Sequence, residues 1–175
     1  MSTHDAALQR VRLLALDVDG ILTDGRVWFA ADGEALKPFH TQDGLGVKLV
    51  IDRGIQVALV TGRVSPMVDF RARQLGIQHV VQGRDDKLAA ITELTNSLGL
   101  TLDQVAYMGD DLPDLSALLA VGVGRTVPGG DPWVRARVPA TEAAGGFGAV
   151  RELCNELLRA QGHEDAVLSA FGVAE

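Results

Sequence analysis

The sequence predicts an α/β fold in which helices cover both faces of a central, mainly parallel β-sheet. Short runs rich in β-branched residues alternate with longer segments of helical pattern, as in folds built from β-α-β units. The short runs are apolar at nearly consecutive positions, which is typical of strands covered on both faces. The predicted strands are residues 12–18, 56–60, 79–81, 105–108 and 121–127.

Helix-capping residues mark the ends of the helices predicted between these strands. Asp43 is a favourable N-cap residue, and Ser65 followed by Pro66 combines an N-cap with a proline in the first turn. Gly162 stands where a C-cap glycine is expected. The predicted helices are residues 44–53, 66–75, 86–98, 112–120 and 149–161.

One segment, residues 25–40, interrupts this alternation. It contains two short β-rich runs around the turn sequence Ala31-Asp32-Gly33, which predicts a β-hairpin. The hairpin is rich in large apolar residues, and two strands alone cannot bury both of their faces. We therefore expect it to pack against another surface, for instance a second subunit.

The length and composition are those of one globular domain over residues 1–175, with the hairpin as an insert and a C-terminal tail over 162–175. The net charge of −7 disfavours binding to a nucleic-acid backbone, although a few cations or one metal ion suffice to bind a phosphorylated small molecule.

Cys154 is the only cysteine, so we expect no intramolecular disulfide and a reducing compartment. The opening residues contain no apolar segment long enough for a signal peptide or a membrane span. We expect a cytoplasmic enzyme with no nucleic-acid or membrane partner.

Chemically reactive side chains follow four of the predicted strands. Ligands of parallel sheets bind beyond the carboxyl ends of the strands, so these side chains are expected to converge. Two carboxylates about 4 Å apart repel each other by roughly 4 kcal/mol at an effective dielectric constant of about 20, so a cluster of them requires a counterion. Carboxylate oxygens suit Mg²⁺, which also binds substrate phosphate. The residues concerned are Asp17, Asp19, Thr61, Gly62, Arg63, Lys87, Asp110, Asp111 and Asp114.

The sequences that carry these residues resemble the four motifs of the haloacid dehalogenase (HAD) superfamily. They are "DVDGILTDG", "VTGR", Lys87 and "GDDLPD", in this order. Further sequences make the chain similar to the 3-deoxy-D-manno-octulosonate 8-phosphate phosphatase family over nearly its whole length, from Leu14 to about Gln161. These are "FHTQDGLGVK", "RARQLGI", "QGRDDK" and "AGGFGAVRELC". The resemblance implies a Rossmann-like HAD fold without a cap domain, and a Mg²⁺-dependent phosphatase of lipopolysaccharide precursor synthesis.

The resemblance also implies catalytic roles. Asp17 is expected to attack phosphorus and form an aspartyl-phosphate, which divides the hydrolysis into two easier steps. Asp19 is expected to act as general acid toward the leaving sugar oxygen and then as general base toward water. The carboxylates of Asp17 and Asp110 and the backbone carbonyl of Asp19 are expected to bind Mg²⁺. Asp111 and Asp114 are expected to orient these groups from behind.

Other residues are expected, by the same resemblance, to hold the substrate. Thr61 and Lys87 would bind the phosphoryl oxygens, and Lys87 would offset the charge that grows in the transition state. Arg63 and Arg71 can each bind a carboxylate through two N–H groups, which fits a sugar acid as the leaving group. The predicted substrate-binding residues are Asp19, His40, Thr41, Gln42, Asp43, Gly44, Lys48, Thr61, Gly62, Arg63, Arg71 and Lys87.

The spacing between the motifs leaves no room for a cap domain. The chain from Asp17 to Thr61 accommodates only the hairpin and one helix, and that from Thr61 to Lys87 only one helix and one strand. An open site must be covered by other means, and the family resemblance implies a homotetramer in which neighbouring subunits cover it. The hairpin, over residues 27–39, and the tail after Gly162 are the segments expected to do so.

Three positions depart from the family pattern and leave the sugar open. Gln42 stands where a basic residue is expected, Leu45 where a tyrosine is usual, and Phe147 where a basic or polar residue is common. A phosphatase for a nine-carbon acidic sugar, such as an N-acylneuraminate 9-phosphate, is therefore an alternative.

Other classes of protein are also alternatives. A phospho-receiver domain places Asp, Thr and Lys around Mg²⁺ as well, but it retains its phosphate, whereas Asp19 is placed to activate water. An inactive scaffold is a further alternative, although none of the catalytic positions is missing.

Overall fold

A five-stranded parallel sheet forms the centre of the computed structural model, which describes residues 3–173. Strand β1 (Leu13–Leu16) lies in the middle, flanked by β4 (Gln56–Thr61) and β6 (Val105–Met108). Strands β5 (His79–Gln82) and β7 (Val123–Arg125) form the two edges, and all neighbours are parallel. The predicted α/β class is confirmed. Residues 1, 2, 174 and 175 of the predicted domain lie outside the described residues.

Helices cover both faces of this sheet. Alternate residues of β1 point to opposite sides, since Leu14 and Leu16 belong to one apolar cluster, whereas Leu13 and Ala15 belong to the other. All four are completely buried, which accounts for the uninterrupted apolar run. The first face carries α1 (Thr3–Arg10), α2 (Thr41–Asp52), α3 (Pro66–Leu75) and α7 (Ala149–Ala160); the second carries α4 (Lys87–Ser97), α5 (Leu112–Ala120) and α6 (Pro132–Arg135).

Two predicted boundaries were wrong in ways that concern function. The first strand ends at Leu16 rather than at residue 18, because the chain leaves the sheet as soon as Asp17 has bonded to β6 through its backbone N–H. Helix α2 begins at Thr41, with His40 at the N-cap position, so the predicted N-cap Asp43 lies inside the first turn. The short helices α1 and α6 were not predicted at all. Gly162 has φ of 72° directly after the last turn of α7, as predicted for a C-terminal glycine.

The predicted hairpin is present and is highly exposed. Strands β2 (Trp28–Ala30) and β3 (Gly33–Leu36) are antiparallel and are joined by a two-residue turn. Trp28 is 51% exposed and Phe29 is 69% exposed, which is unusual for such large apolar side chains. We call this hairpin with its flanking residues, 25–40, the flap.

The C-terminal tail contains a further helix, α8 (Glu164–Ala170), which packs against its own chain. Val167 contacts the first apolar cluster, and the Arg53 guanidinium donates to the carbonyl of Ala166 at 3.1 Å. Arg159 of α7 pairs with Glu164 at 2.8 Å. Among the described residues, no helix has the length and apolar character needed to cross a bilayer.

Candidate active site

The predicted catalytic residues meet at the carboxyl edge of the sheet, around the loop that follows β1. The backbone N–H of Asp17 donates to the carbonyl of Met108 at 2.9 Å and fixes Asp17 beside the end of β6. The Asp17 side chain faces a cleft of about 340 Å³ at this edge. The predicted residues that line the cleft are Asp17, Asp19, Thr61, Gly62, Arg63, Lys87, Asp110, Asp111 and Asp114.

Lys87 joins two carboxylates inside this cleft. Its ammonium lies 3.0 Å from Oδ1 of Asp17 and 3.0 Å from Oδ1 of Asp114. The Lys87 side chain is only 3% exposed, and the charges of the two aspartates raise its pKa although burial acts in the opposite direction. Lys87 is therefore a fixed positive charge beside the predicted nucleophile.

Asp114 orients the residues around it with both carboxylate oxygens. Its Oδ1 accepts hydrogen bonds from the Lys87 ammonium and, at 2.5 Å, from the hydroxyl of Tyr107. Its Oδ2 accepts the backbone N–H groups of Asp110 at 3.0 Å and Asp111 at 3.2 Å. With two donors on each oxygen, Asp114 has the contacts of an orienting residue.

Asp111 lies at the surface as the N-cap of α5. Its Oδ1 accepts the backbone N–H of Leu112 at 2.8 Å. Asp111 is exposed, whereas Asp114 in the same helical turn is 1% exposed. Asp111 and Asp114 therefore differ in their contacts: Asp111 caps the start of the helix, and Asp114 bonds to the residues around the cleft.

Three carboxylates lie close enough to share one cation. Oxygen atoms of Asp17, Asp110 and Asp114 all lie within 4.8 Å of one another. Burial, followed by the negative charge of Asp114, raises the pKa of Asp17 and of Asp110 to about 7. Because Asp114 is already saturated with donors, Asp17 and Asp110 are the two with acceptor capacity left, and a hard divalent cation such as Mg²⁺ fits them.

Gly20 makes room for this group of carboxylates. Its φ of 92° lies in the region that favours glycine, and a Cβ at this position would approach Oδ2 of Asp110 to 2.0 Å. Any side chain here would push Asp110 away from Asp17. The glycine of "DVDG" is thus required by the geometry of the cleft.

Thr61 is the last residue of β4, Gly62 follows it, and both line the cleft. Thr61 is 2% exposed, and its Oγ1 accepts the backbone N–H of Arg63 at 3.3 Å. A Cβ on Gly62 would lie 2.2 Å from Oδ1 of Asp85, an acidic cleft residue that sequence reasoning did not select. Gly62 therefore allows the close approach of Asp85, which a side chain at this position would prevent.

The remaining predicted substrate residues do not line this cleft in a single chain. Thr41, Gln42 and Lys48 are exposed along the first turns of α2. His40 is half-buried, and its Nδ1 lies 3.9 Å from Oδ2 of Asp43. Their predicted roles stay predictions, and the structure places them on a surface outside the cleft.

Arg71 fits closely over the start of α2. Its guanidinium stacks 5.6 Å from the ring centre of Phe39 and donates to the carbonyl of His40 at 3.4 Å. A Cβ on Gly44 would meet Arg71 at 2.3 Å, so Gly44 accommodates the arginine. Arg71 is thus held by the loop that was predicted to bind substrate alongside it.

Asp43 has partners that the sequence did not predict. It is 1% exposed, and its two oxygens accept the backbone N–H groups of Gly148 at 3.3 Å and Arg151 at 2.8 Å. It therefore caps the start of α7, whose N-terminal N–H groups lack intrahelical partners. Burial raises its pKa despite these hydrogen bonds. In the described structure this carboxylate binds the protein's own backbone.

Two polar residues of the flap reach the site and were missed by sequence reasoning. The Lys37 ammonium lies 2.5 Å from Oδ1 of Asp19 and 3.0 Å from Oε1 of Glu34. Arg63 approaches the other oxygen, Oδ2, of Asp19 at 3.5 Å. The only sequence signal was a pair of opposite charges three residues apart in the predicted hairpin, which is also common on exposed surfaces.

Comparison with known proteins places the chain among sugar phosphate phosphatases, although no family model matches the sequence. The chain is 42% identical over 161 residues to the 3-deoxy-D-manno-octulosonate 8-phosphate phosphatase KdsC of Escherichia coli K12, covering 91% of this chain and 86% of that protein. The Haemophilus influenzae KdsC is 40% identical over 166 residues, covering 94% and 92%.

The chain belongs to the KdsC family of 3-deoxy-D-manno-octulosonate 8-phosphate phosphatases. The KdsC-family structure from Moraxella catarrhalis, in complex with magnesium, phosphate and KDO, has a TM-score of 0.95 at 46% identity and covers 98% of this chain and 99% of its own. The cobalt-bound KdsC-family structure from H. influenzae has a TM-score of 0.90 at 40% identity, with 95% and 98% coverage. A Legionella pneumophila structure described as a putative HAD superfamily hydrolase has a TM-score of 0.91 at 42% identity, with 98% and 95% coverage. The predicted HAD fold of this KdsC-family chain is confirmed.

Proposed function

We propose that this protein is a Mg²⁺-dependent phosphatase that hydrolyses 3-deoxy-D-manno-octulosonate 8-phosphate to the free sugar acid and phosphate, in lipopolysaccharide precursor synthesis in the cytoplasm. The observation that carries this proposal is the placement of Asp17 at a solvent-accessible cleft, with the buried ammonium of Lys87 at 3.0 Å and Asp19 beside it. This arrangement provides a nucleophile, a fixed cation for a phosphoryl group and an acid/base. Membership in the KdsC family supports the substrate.

The first step forms a covalent intermediate. A carboxylate oxygen of Asp17 attacks phosphorus, the bond to the sugar oxygen breaks, and Asp19 gives that oxygen a proton. Lys87 and Thr61 line the cleft, where they can hold the phosphoryl oxygens as negative charge shifts among them. When bound by the carboxylates of Asp17 and Asp110 and the carbonyl of Asp19, Mg²⁺ would neutralise charge between nucleophile and phosphate.

The second step releases phosphate. Asp19, now ionised, accepts a proton from water, and the water oxygen attacks phosphorus while the bond to Asp17 breaks. The enzyme returns to its starting state with one phosphate and one sugar acid formed. Asp19 alternates between acid and base because the two steps are the reverse of each other in proton transfer.

Arg63 is the residue proposed to recognise the sugar acid. Its side chain is 44% exposed at the rim of the cleft and already lies near two carboxylates, at 3.5 Å from Asp19 and 3.7 Å from Glu34. Asp19 and Glu34 are already bonded to Lys37 and Ser65, whereas a substrate carboxylate would have both oxygens available to accept two parallel N–H bonds from Arg63. The same argument applies to a nine-carbon sugar acid, so the length of the sugar needs a direct test.

The test compares phosphate release from three esters, each with and without Mg²⁺: 3-deoxy-D-manno-octulosonate 8-phosphate, N-acetylneuraminate 9-phosphate and p-nitrophenyl phosphate. A strong Mg²⁺-dependent preference for the first is expected. Preference for the second would retain the chemistry and change the sugar. An aspartyl-phosphate that persists for minutes without release would instead indicate a receiver domain.

We also propose a homotetramer in which neighbouring subunits cover the cleft. The exposed apolar side chains of the flap, and the position of Thr41, Gln42 and Lys48 outside the cleft of their own chain, support this arrangement. Sedimentation equilibrium is expected to give four chains, and Phe29→Glu is expected to give smaller species with a raised KM for the sugar phosphate. A wild-type monomer with full activity would contradict the tetramer.

Removal of metal is expected to change stability in a pH-dependent way. Between about pH 4 and pH 7, the native metal-free state keeps protons on Asp17 and Asp110 that the unfolded chain has already released, because their pKa values are raised to about 7. The free energy of unfolding without metal therefore falls as the pH rises through this window. Mg²⁺ replaces these protons, so saturating Mg²⁺ should raise Tm by about 5–10 °C near pH 8 and by much less near pH 5.

Thermal unfolding in EDTA and in Mg²⁺ at the two pH values measures this effect. Asp110→Asn is the matched variant, because it removes one of the two metal-binding carboxylates and should abolish the Mg²⁺-dependent difference. An equal shift at both pH values would mean that protons and metal do not compete at these carboxylates.

A further inference from the structure

Lys37 is a buried cation at the base of the flap. It follows β3 directly, and its side chain is only 2% exposed. A buried ammonium is costly unless it is closely paired with negative charge and hydrogen-bonded. The partners of Lys37 therefore indicate why a lysine stands here.

One partner is the predicted acid/base. The Lys37 ammonium donates a hydrogen bond to Oδ1 of Asp19 and lies 3.0 Å from Oε1 of Glu34. Charge-assisted hydrogen bonds of this kind are short and strong, and they fix the orientation of the carboxylate. Lys37 itself is not among the residues that line the cleft. It therefore contacts Asp19 on the side away from the cleft and does not contact the substrate.

Glu34 anchors Lys37 to the body of the protein. Its Oε2 accepts the hydroxyl of Ser65 at 2.5 Å, and the backbone N–H of Ser65 donates to Gln82 at 2.8 Å, beside the end of β5. Burial acts to raise the pKa of Glu34, but the hydrogen bond from Ser65 and the positive charge of Lys37 outweigh it and keep the pKa below its usual value. Glu34 is therefore an ionised, fixed partner.

The second oxygen of Asp19 has a different kind of partner. Arg63 approaches Oδ2 at 3.5 Å, a longer contact, and its side chain is 44% exposed at the cleft. Its guanidinium also lies 5.8 Å from the ring centre of Phe29 in the flap. Arg63 can turn toward a substrate carboxylate, whereas Lys37 is enclosed. Asp19 thus keeps one fixed oxygen, Oδ1, while Oδ2 becomes available for proton transfer.

We propose that Lys37 is a positioning residue for this reaction: it holds Oδ1 of Asp19 so that Oδ2 faces the reacting oxygen in both steps. The proposal rests on the phosphatase function argued above. In the first step Oδ2 delivers its proton to the sugar oxygen as the P–O bond breaks, and in the second it receives a proton from the attacking water. A misplacement of about 1 Å in such a group costs on the order of 100-fold in rate.

The test is Lys37→Met, which keeps the length of the side chain and removes the charge. With the sugar phosphate, kcat should fall about 10- to 100-fold while KM changes less than about 3-fold, because Lys37 does not contact substrate. Arg73→Met is the matched control, since it also replaces a cation by methionine, at an exposed position of α3 outside both the cleft and the flap. Its kinetics should equal those of the wild type.

A second substrate separates positioning from a general structural defect. The nitrophenolate group of p-nitrophenyl phosphate leaves without needing a proton, so the first step should be nearly normal in Lys37→Met. The second step still needs Asp19 as base and should be slow. A burst of about one nitrophenolate per site, followed by a slow steady state, is therefore expected from the variant.

Two other outcomes would overturn the proposal. An unchanged kcat with the sugar phosphate would show that Asp19 needs no support from Lys37, and an equal loss of burst and steady state would show a structural role only. If Lys37→Met does not fold, the double variant Lys37→Met/Glu34→Gln removes the unpaired carboxylate of Glu34 and is measured in the same way.

Failure of the phosphatase function itself gives a different result. In that case the wild-type protein releases no phosphate from either ester, whereas failure of the Lys37 proposal leaves an active wild type and an unaffected variant.

Discussion

Asp17→Asn is expected to lower phosphate release from the sugar phosphate by at least about 10⁴-fold, the scale seen when the nucleophile of a covalent mechanism is removed. The asparagine amide has nearly the same shape as the carboxylate but does not attack phosphorus. Its neighbours Lys87 and Asp110 remain, so substrate binding should be largely preserved. The measurement is phosphate release under saturating substrate and Mg²⁺, together with mass spectrometry of acid-quenched protein.

The mass measurement distinguishes a lost nucleophile from a lost fold. Wild-type protein quenched during turnover should contain a fraction with one added phosphoryl group, and Asp17→Asn should contain none. Asp52→Asn, at the exposed end of α2, is the control and should retain full activity. Turnover by Asp17→Asn within about 10-fold of wild type would remove Asp17 from the mechanism.

Asp114→Asn is expected to lower the free energy of unfolding by about 3 kcal/mol in metal-free buffer, which is near the lower end of the cost of breaking a buried ion pair. An asparagine has one acceptor oxygen, so two of the four donors that now bond to Asp114 lose their partner. Relief of the repulsion between Asp114 and the carboxylates of Asp17 and Asp110 offsets part of this loss. Urea unfolding followed by circular dichroism measures the difference.

Asp111→Asn provides the matched control for that variant. Both changes convert an aspartate to asparagine at the start of α5, but Asp111 is exposed, and its side chain accepts N-cap hydrogen bonds from the backbone N–H groups of Leu112 and Asp114. Asparagine caps helices about as well as aspartate, so the expected change is within about 0.5 kcal/mol. Equal effects of the two variants would mean that the buried hydrogen bonds of Asp114 contribute little to stability.

The convergence of the catalytic residues could be predicted because it depends on local pattern and on one general rule. Asp17, Thr61, Lys87 and Asp110 each follow a short apolar run, and the ends of parallel strands meet at one edge. No knowledge of side-chain packing was needed for this step. The positions of the motifs along the chain and the parallel order of the sheet were therefore enough to predict where the site lies.

The contacts of Lys37 and Asp43 could not be predicted, because they depend on how separate elements pack. A hairpin pattern gives strand pairing but not the surface on which the hairpin lies, so nothing indicated that Lys37 would reach Asp19. Asp43 has the sequence context of an N-cap for α2. Because α2 packs against α7, its carboxylate instead accepts backbone N–H groups at the start of α7. In both cases a residue typical of the surface is buried by a tertiary contact.

The central position of β1 has a consequence for how the chain acquires its structure during synthesis. Leu13 is paired with Gln56 on one side and with Val105 on the other, so the strand made first must wait for partners from both the middle and the later part of the chain. At a synthesis rate of about 5–20 residues per second, this delay is on the order of 5 to 20 s. Such distant pairings slow folding and leave apolar edges exposed in the meantime. Recovery of enzyme activity after dilution from denaturant is expected to require the pairing of β6 with β1, because this pairing brings Asp17 beside the end of β6.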